Sequence, residues 1–212
     1  MMSAEIFPNS NLYETGYCVI LVRDISPEEA LSRIPYSKSG LIGLDRNDFD
    51  AIKALGSDVD QDDVPQVNIN DLESSGILDS NGPLLRAGSY ASWAFMIEPE
   101  GPFLAKEEVL KAVSRETTAL SVQLSETAAA WISYAEDGEI LSSFDPLFPD
   151  SDYGTRPTAL ENLTGYRAAI DAGERADAYE NALRQIQESL QCALPATVDA
   201  GRLPSVRVDD EY

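Results

Sequence analysis

Residues 117–144 read TTALSVQLSETAAAWISYAEDGEILSSF, and the way this run divides decides the fold. Leu120, Val122 and Leu124 alternate with polar neighbours, the period of a strand that turns one face to a core. Asp137–Gly138 suits a two-residue type I′ turn, because both central positions of that turn need positive φ. Counting back from the turn pairs Glu136 with Glu139, Tyr134 with Leu141 and Trp131 with Phe144. Trp131, Phe144, Ala135 and Ile140 then share one face, which becomes the candidate core face. The run reads as a three-stranded antiparallel meander, and its Asp-Gly pair is turn chemistry that needs no catalytic explanation.

Upstream, GYCVILVR (16–23) is a short, β-rich apolar run and predicts a buried strand. SPEEALSRI follows, with Ser26 as N-cap, Pro27 at the first helical position and Glu29 closing a capping box. Ala30, Leu31 and Ile34 supply its buried face. LDRNDFDAIKALG predicts a second helix capped by Asn47 or Asp48 and ended by Gly56. Between Asp45 and Asp79 ten acids face only Arg46 and Lys53, so GSDVDQDDVPQVNIN (56–70) reads as an exposed loop. PLLRAGSYASWAFMIEPEG gives two strands at about 84–88 and 92–98. FLAKEEVLKAVSR carries Leu104, Val109, Leu110 and Val113 at helical spacing.

Downstream, DPLFPDSDYGTRP is a loop with three prolines, ending where Thr158 and Glu161 predict another capping box. ERADAYENALRQIQESL places Tyr179, Ala182, Leu183, Ile186 and Leu190 on one helical stripe. LPSVRV near the end predicts an edge strand. Together the elements predict an α+β protein: a mostly antiparallel β-sheet of five to seven strands with amphipathic helices packed on one face. The expected core domain spans 12–165, with an acidic loop at about 56–80. Residues 166–212 form a C-terminal helix and tail docked on it.

GYCVILVRDISPEEAL, WAFMIEPEG, LSVQL and YAEDGEILSSFDPLFP, in this order, resemble a family of bacterial, mostly actinobacterial, domains of unknown function. The matching positions are Trp93, Phe95, Glu98 and Gly101, then Glu136, Asp137 and Gly138, then Phe144, Asp145, Pro146 and Leu147. The likeness runs over roughly 16–165, with a different-looking stretch at 38–80. It implies no activity and no site.

Composition narrows the chemistry. Fifteen basic and 37 acidic side chains leave a formal charge of −22, with a pI near 4.1. Such a field repels phosphate backbones and anionic lipid and attracts cations, so neither nucleic acid nor membrane is expected as a partner. The chain has no histidine, which excludes Ser-His-Asp and Cys-His catalysis and His-ligated zinc. No phosphate-cradling glycine motif is present. DVDQDD (58–63) begins like a calcium loop, but Asp63 stands where that loop needs Gly and Ile69 where it needs Glu. No metal site and no cofactor are expected. Cys18 and Cys192 lack metal or redox spacing and read as reduced, buried thiols. The apolar run CVILV is far shorter than a signal core or a span, so a soluble, cytoplasmic protein is expected.

These observations favour a non-catalytic acidic binding module, of the immunity or inhibitor type, that neutralises a basic protein partner. The candidate binding residues are Trp131, Glu136, Asp137, Glu139, Asp145, Asp150 and Asp152, with Glu98 on its strand. Glu98 is also placed to pair with Arg86 or Arg23 across the sheet. Two alternatives stay open: a carboxylate-based, divalent-metal-dependent enzyme using acids such as Glu98, Asp145, Asp150 and Asp152, and a small-molecule sensor with an apolar pocket. The oligomeric state is left open.

Overall fold

Strand β1 (Gly16–Arg23) is buried at every position from Gly16 to Val22. Side chains alternate across a strand, so its residues enter two different cores. Tyr17, Val19 and Leu21 face one, and Cys18, Ile20 and Val22 face the other. The computed structural model describes residues 16–99, 101–125, 129–194 and 200–209. In chain order after β1 come α1 (Pro27–Ser32), β2 (Ile42–Leu44), α2 (Arg46–Leu55), α3 (Ile69–Ser75), β3 (Leu84–Tyr90) and β4 (Trp93–Pro99). Then follow α4 (Glu107–Val113), β5 (Thr118–Ser125), β6 (Ala130–Glu136) and β7 (Glu139–Phe144). The chain closes with α5 (Ala159–Thr164), α6 (Tyr166–Ala172), α7 (Ala178–Leu190) and β8 (Leu203–Arg207).

The strands form one eight-stranded sheet in the order β2-β8-β3-β4-β1-β5-β6-β7, and every neighbouring pair is antiparallel. The α+β class is as the sequence predicts. The helices, expected on one face, cover both. Ala30, Leu31 and Ile34 from the α1 region and Val109, Leu110 and Val113 of α4 pack on the Cys18 face. Leu160 of α5, Tyr166 and Ile170 of α6 and Ala182, Leu183 and Ile186 of α7 pack on the Tyr17 face. The physical reason is visible in β1 and β4: a strand wetted on one side alternates, whereas a strand covered on both reads as a continuous apolar run. β8 is internal, between β2 and β3, and not the expected edge strand.

The meander forms as expected, and the turn residues Asp137 and Gly138 both have positive φ, at 50° and 80°. Its register differs by one beyond the turn. Glu136 opposes Glu139 and Ala135 opposes Ile140, but a bulge then pairs Tyr134 with Ser142 and Ile132 with Phe144. The extra residue turns Leu141 to the Phe144 side. Phe144 therefore joins Ile132 and Tyr134 on the α5–α7 face, and Trp131 falls on the opposite face. Along β3, Gly88 opposes Phe95, and a Cβ at Gly88 would overlap the Phe95 ring. Glycine is needed there for a close approach.

The acidic segment is not a plain exposed loop. Val59, Val64 and Val67 are buried with Phe49, Ile52, Leu72 and Ile77 in a third cluster against Leu44 and Leu84. The acids stay outside while the valines turn in. Asp45, not Asn47 or Asp48, caps α2 by accepting from the Asp48 N–H. Three arginines tie this layer to the sheet through carbonyls. Arg86 donates to Gly201 O at 2.8 Å with its guanidinium over the Phe49 ring. Arg202 donates to Gly43 O and Gln66 O. Arg207 donates to Gly82 O and to Ile52 O in the last turn of α2; burial pushes its guanidinium below the usual range.

Two stability predictions follow from this layer. Val64→Ala should lower the urea-measured stability by roughly 1–3 kcal/mol, where a solvated loop would give no change. Asp48 is fully buried and neither carboxylate oxygen meets hydrogen-bond geometry. Burial and then the nearby Asp45 charge raise its pKa, against the Gln66 N–H and Arg202. A raised folded value means that its contribution is complete below the unfolded value and is lost as pH rises through the folded one. Asp48→Asn should therefore be more stable than the parent at neutral pH, with an advantage that narrows as the pH falls to about 4.

Candidate functional site

Glu98 lies near the end of β4 and is 4% exposed. Its Oε2 accepts from the Leu104 N–H at 2.7 Å, so the carboxylate receives the 3-10 turn Phe103–Ala105 that leads into α4. A Cβ at Gly101 would overlap this carboxylate, which explains the spacing of Glu98 and Gly101. The sheet register works against the pairing expected with Arg86 or Arg23. Glu98 opposes Cys18 on the α1/α4 face, whereas Arg86 opposes Ile97 and Arg23 opposes Trp93 on the other face. A two-residue period puts the sheet between the acid and both bases.

Trp131 belongs to the same face as Glu98, at the far end of one cross-strand row: Glu98, Cys18, Gln123, Trp131. The adjoining row contains Ser121, Ser133 and Ser143. Trp131 donates its indole N–H to Ser143 Oγ at 2.7 Å, and Ser143 and Ser133 share a 2.6 Å hydrogen bond. The Trp131 ring lies 6.0 Å from that of Tyr153. Sequence reasoning missed these serines, whose only signal is one small polar residue in each meander strand at matched register. The chain has no histidine to activate these serines. Burial, then the Glu98 charge, pushes the Cys18 thiol far up. Burial holds Cys192 at about 12.

The hairpin-tip acids disperse. Glu136 meets Arg156 at 3.4 Å, with both side chains at least half exposed, a pair worth about 0–1 kcal/mol. Asp137 Oδ1 accepts from the Glu116 N–H. Glu139 is exposed. In the following loop, Asp145 Oδ1 accepts from the Leu147 N–H and ends β7 as an Asx turn. Asp150 and Asp152 do converge, but on a base: Arg167 reaches Asp150 Oδ1 at 2.9 Å and Asp152 Oδ2 at 2.6 Å. Tyr166, stacked on Phe144 at 4.1 Å, also donates to Asp152 Oδ2; burial, then Asp152, raises its pKa. Thr158 forms no side-chain cap. Glu161 instead accepts from the Arg167 N–H and fixes that residue at the α5–α6 junction.

Thus the eight candidates occupy three places. The loop after β7 borders a groove. Pro146, Leu147, Phe148 and Pro149 form one wall of a groove of ≈ 420 Å³, faced by Ile170, Gly173, Arg175 and Ala178. Leu147 is 37% and Phe148 54% exposed. The Arg175 guanidinium sits 5.3 Å from the Phe148 ring centroid. Asp150 and Asp171 line the groove, and Glu174 and Asp177 are exposed on the turn that carries Arg175. Phe148 and Arg175 were not among the sequence candidates; a Phe between two prolines was the signal available.

Among the described residues no three of the metal-ligating side chains come together, and no helix is long and apolar enough to cross a membrane. The chain matches a family of unknown function, DUF6461, over residues 7–194 and belongs to it. No curated protein and no solved structure matches it. The match stops short of β8.

The Arg167 pair gives a prediction. Asp152 is 4% exposed at its side chain, so Arg167→Ala should lower stability by roughly 2–4 kcal/mol by stranding a carboxylate. Adding Asp152→Asn should recover part of that loss in urea unfolding; a full loss in both variants would mean that Arg167 acts by packing.

Proposed function

We propose that this member of the DUF6461 family is a non-catalytic binding module for a basic protein partner, an immunity- or inhibitor-type protein that docks through the groove beside the loop 145–151. The observation that carries this reading is Phe148, more than half exposed next to Leu147 in a proline-held loop. Buried aromatic anchors supply most of the energy of a docking surface, and charge supplies steering and selectivity. The acids around the groove and the net charge of −22 favour a cationic partner. Carboxylate chemistry has less support, because Asp150 and Asp152 are spent on Arg167. Two free, buried thiols suit a reducing, cytoplasmic setting.

The test is capture from a lysate of the source organism by tagged parent and variant proteins, at low and at physiological salt. The parent should retain a basic protein whose yield falls as salt rises. Phe148→Ala should weaken retention about 30-fold, the effect of losing a central anchor of about 2 kcal/mol, while the hairpin-tip variant Glu136→Gln/Glu139→Gln retains it. Retention that survives Phe148→Ala but fails in the tip variant would contradict the proposal, as would no capture at either salt.

A further inference from the structure

We infer that the groove is shaped to take an arginine side chain of the partner, and that Arg175 holds that place in the free protein; this rests on the docking reading above. The Arg175 guanidinium lies over the exposed Phe148 ring at 5.3 Å, so the structure already contains a guanidinium on this surface. Arg175 is itself exposed and, among the described residues, forms no ion pair. It stands on the short 3-10 turn Arg175–Asp177 between α6 and α7, and its exposed side chain can leave the ring by rotation about its own bonds, with the backbone in place. Removing it would leave an aromatic face bordered by acids. Asp150 has a side chain 98% exposed and gives one oxygen to Arg167, which leaves the second for another donor. Asp171 stands across the groove.

Arginine suits this geometry better than lysine. A planar guanidinium stacks on an aromatic face and forks to a carboxylate in the same pose, whereas an ammonium is a strongly hydrated point charge. Pro146 and Pro149 bracket Leu147 and Phe148, fixing φ on both sides and holding the ring out before any partner arrives. Partner and Arg175 then compete for one ring, and the apparent affinity is set by the fraction of time that the ring is clear.

The experiment titrates the full chain, followed by amide chemical shifts, with three capped pentapeptides identical except for a central arginine, lysine or citrulline. The arginine peptide should shift the amides of Leu147, Phe148 and Gly173, the lysine peptide should do so more weakly, and citrulline should leave them in place. Arg175→Ala should bind the arginine peptide about two- to fivefold more tightly, the population released when an exposed cation–π contact is removed. Arg156→Ala deletes the same charge at the hairpin tip and should bind as the parent does, which separates unmasking from a simple change of net charge. Equal binding of the citrulline or lysine peptide, unchanged or weaker binding by Arg175→Ala, or equal tightening by Arg156→Ala would each overturn the inference. If Phe148→Ala still abolishes partner capture in those cases, the docking reading survives without it. If Phe148→Ala has no effect on capture, the docking reading fails first.

Discussion

A strand hydrogen-bonded on both edges and covered on both faces has no place for a solvated side chain, and β1 obeys this from Gly16 to Val22. Its six side chains from Tyr17 to Val22 divide between two cores, and burying each large aliphatic one is worth ~1.5–3 kcal/mol. That constraint dictates the layers. The α1/α4 layer must cover Cys18, Ile20 and Val22, and the α5–α7 layer must cover Tyr17, Val19 and Leu21. The second layer delivers Tyr166 onto Phe144 and Arg167 onto Asp152, and these contacts pin the loop whose tip presents Phe148. The exposure of the Phe148 ring is therefore a consequence of how the covered strand is served.

A net charge of −22 is tolerated because charge and core are kept apart. In the 56–79 region the valines turn inward and the aspartates outward, and the buried cations Arg86 and Arg207 satisfy backbone carbonyls. Arg207 meets the C-terminal turn of α2, where exposed carbonyls concentrate negative partial charge. β8 supplies Arg207 and follows directly on Arg202, so the last strand is what clamps the acidic layer to the sheet.

How much of this could be read from the residues varies with the kind of signal. Ser26 caps α1 by accepting from Glu29, as its spacing predicts, and the Asp137–Gly138 turn has the positive φ values that its residues require. Local chemistry is legible because it is local. The bulge that carried Phe144 to the face opposite Trp131 and Ile140 was not, because a single extra residue leaves the hydrophobic pattern of β7 almost unchanged. Both-face coverage was legible in principle: CVILV does not alternate. The valines of the acidic segment were outvoted by their neighbours in composition, though Val64 and Val67 stand three apart. The candidate acids were poorly resolved for a statistical reason. With 37 in the chain, proximity in sequence says little about convergence, and only coordinates show Asp150 and Asp152 meeting a guanidinium. Phe148 was passed over because an aromatic residue is first assigned to a core.

The proposed docking surface is a single groove, and hydrogen–deuterium exchange of the protein with and without its captured partner tests that proposal most directly. The account predicts new protection confined to the loop 145–151 and to the segment 170–178 that faces it. Protection centred on the hairpin tip at 136–139 or on the Trp131 row, with the groove unchanged, would contradict it.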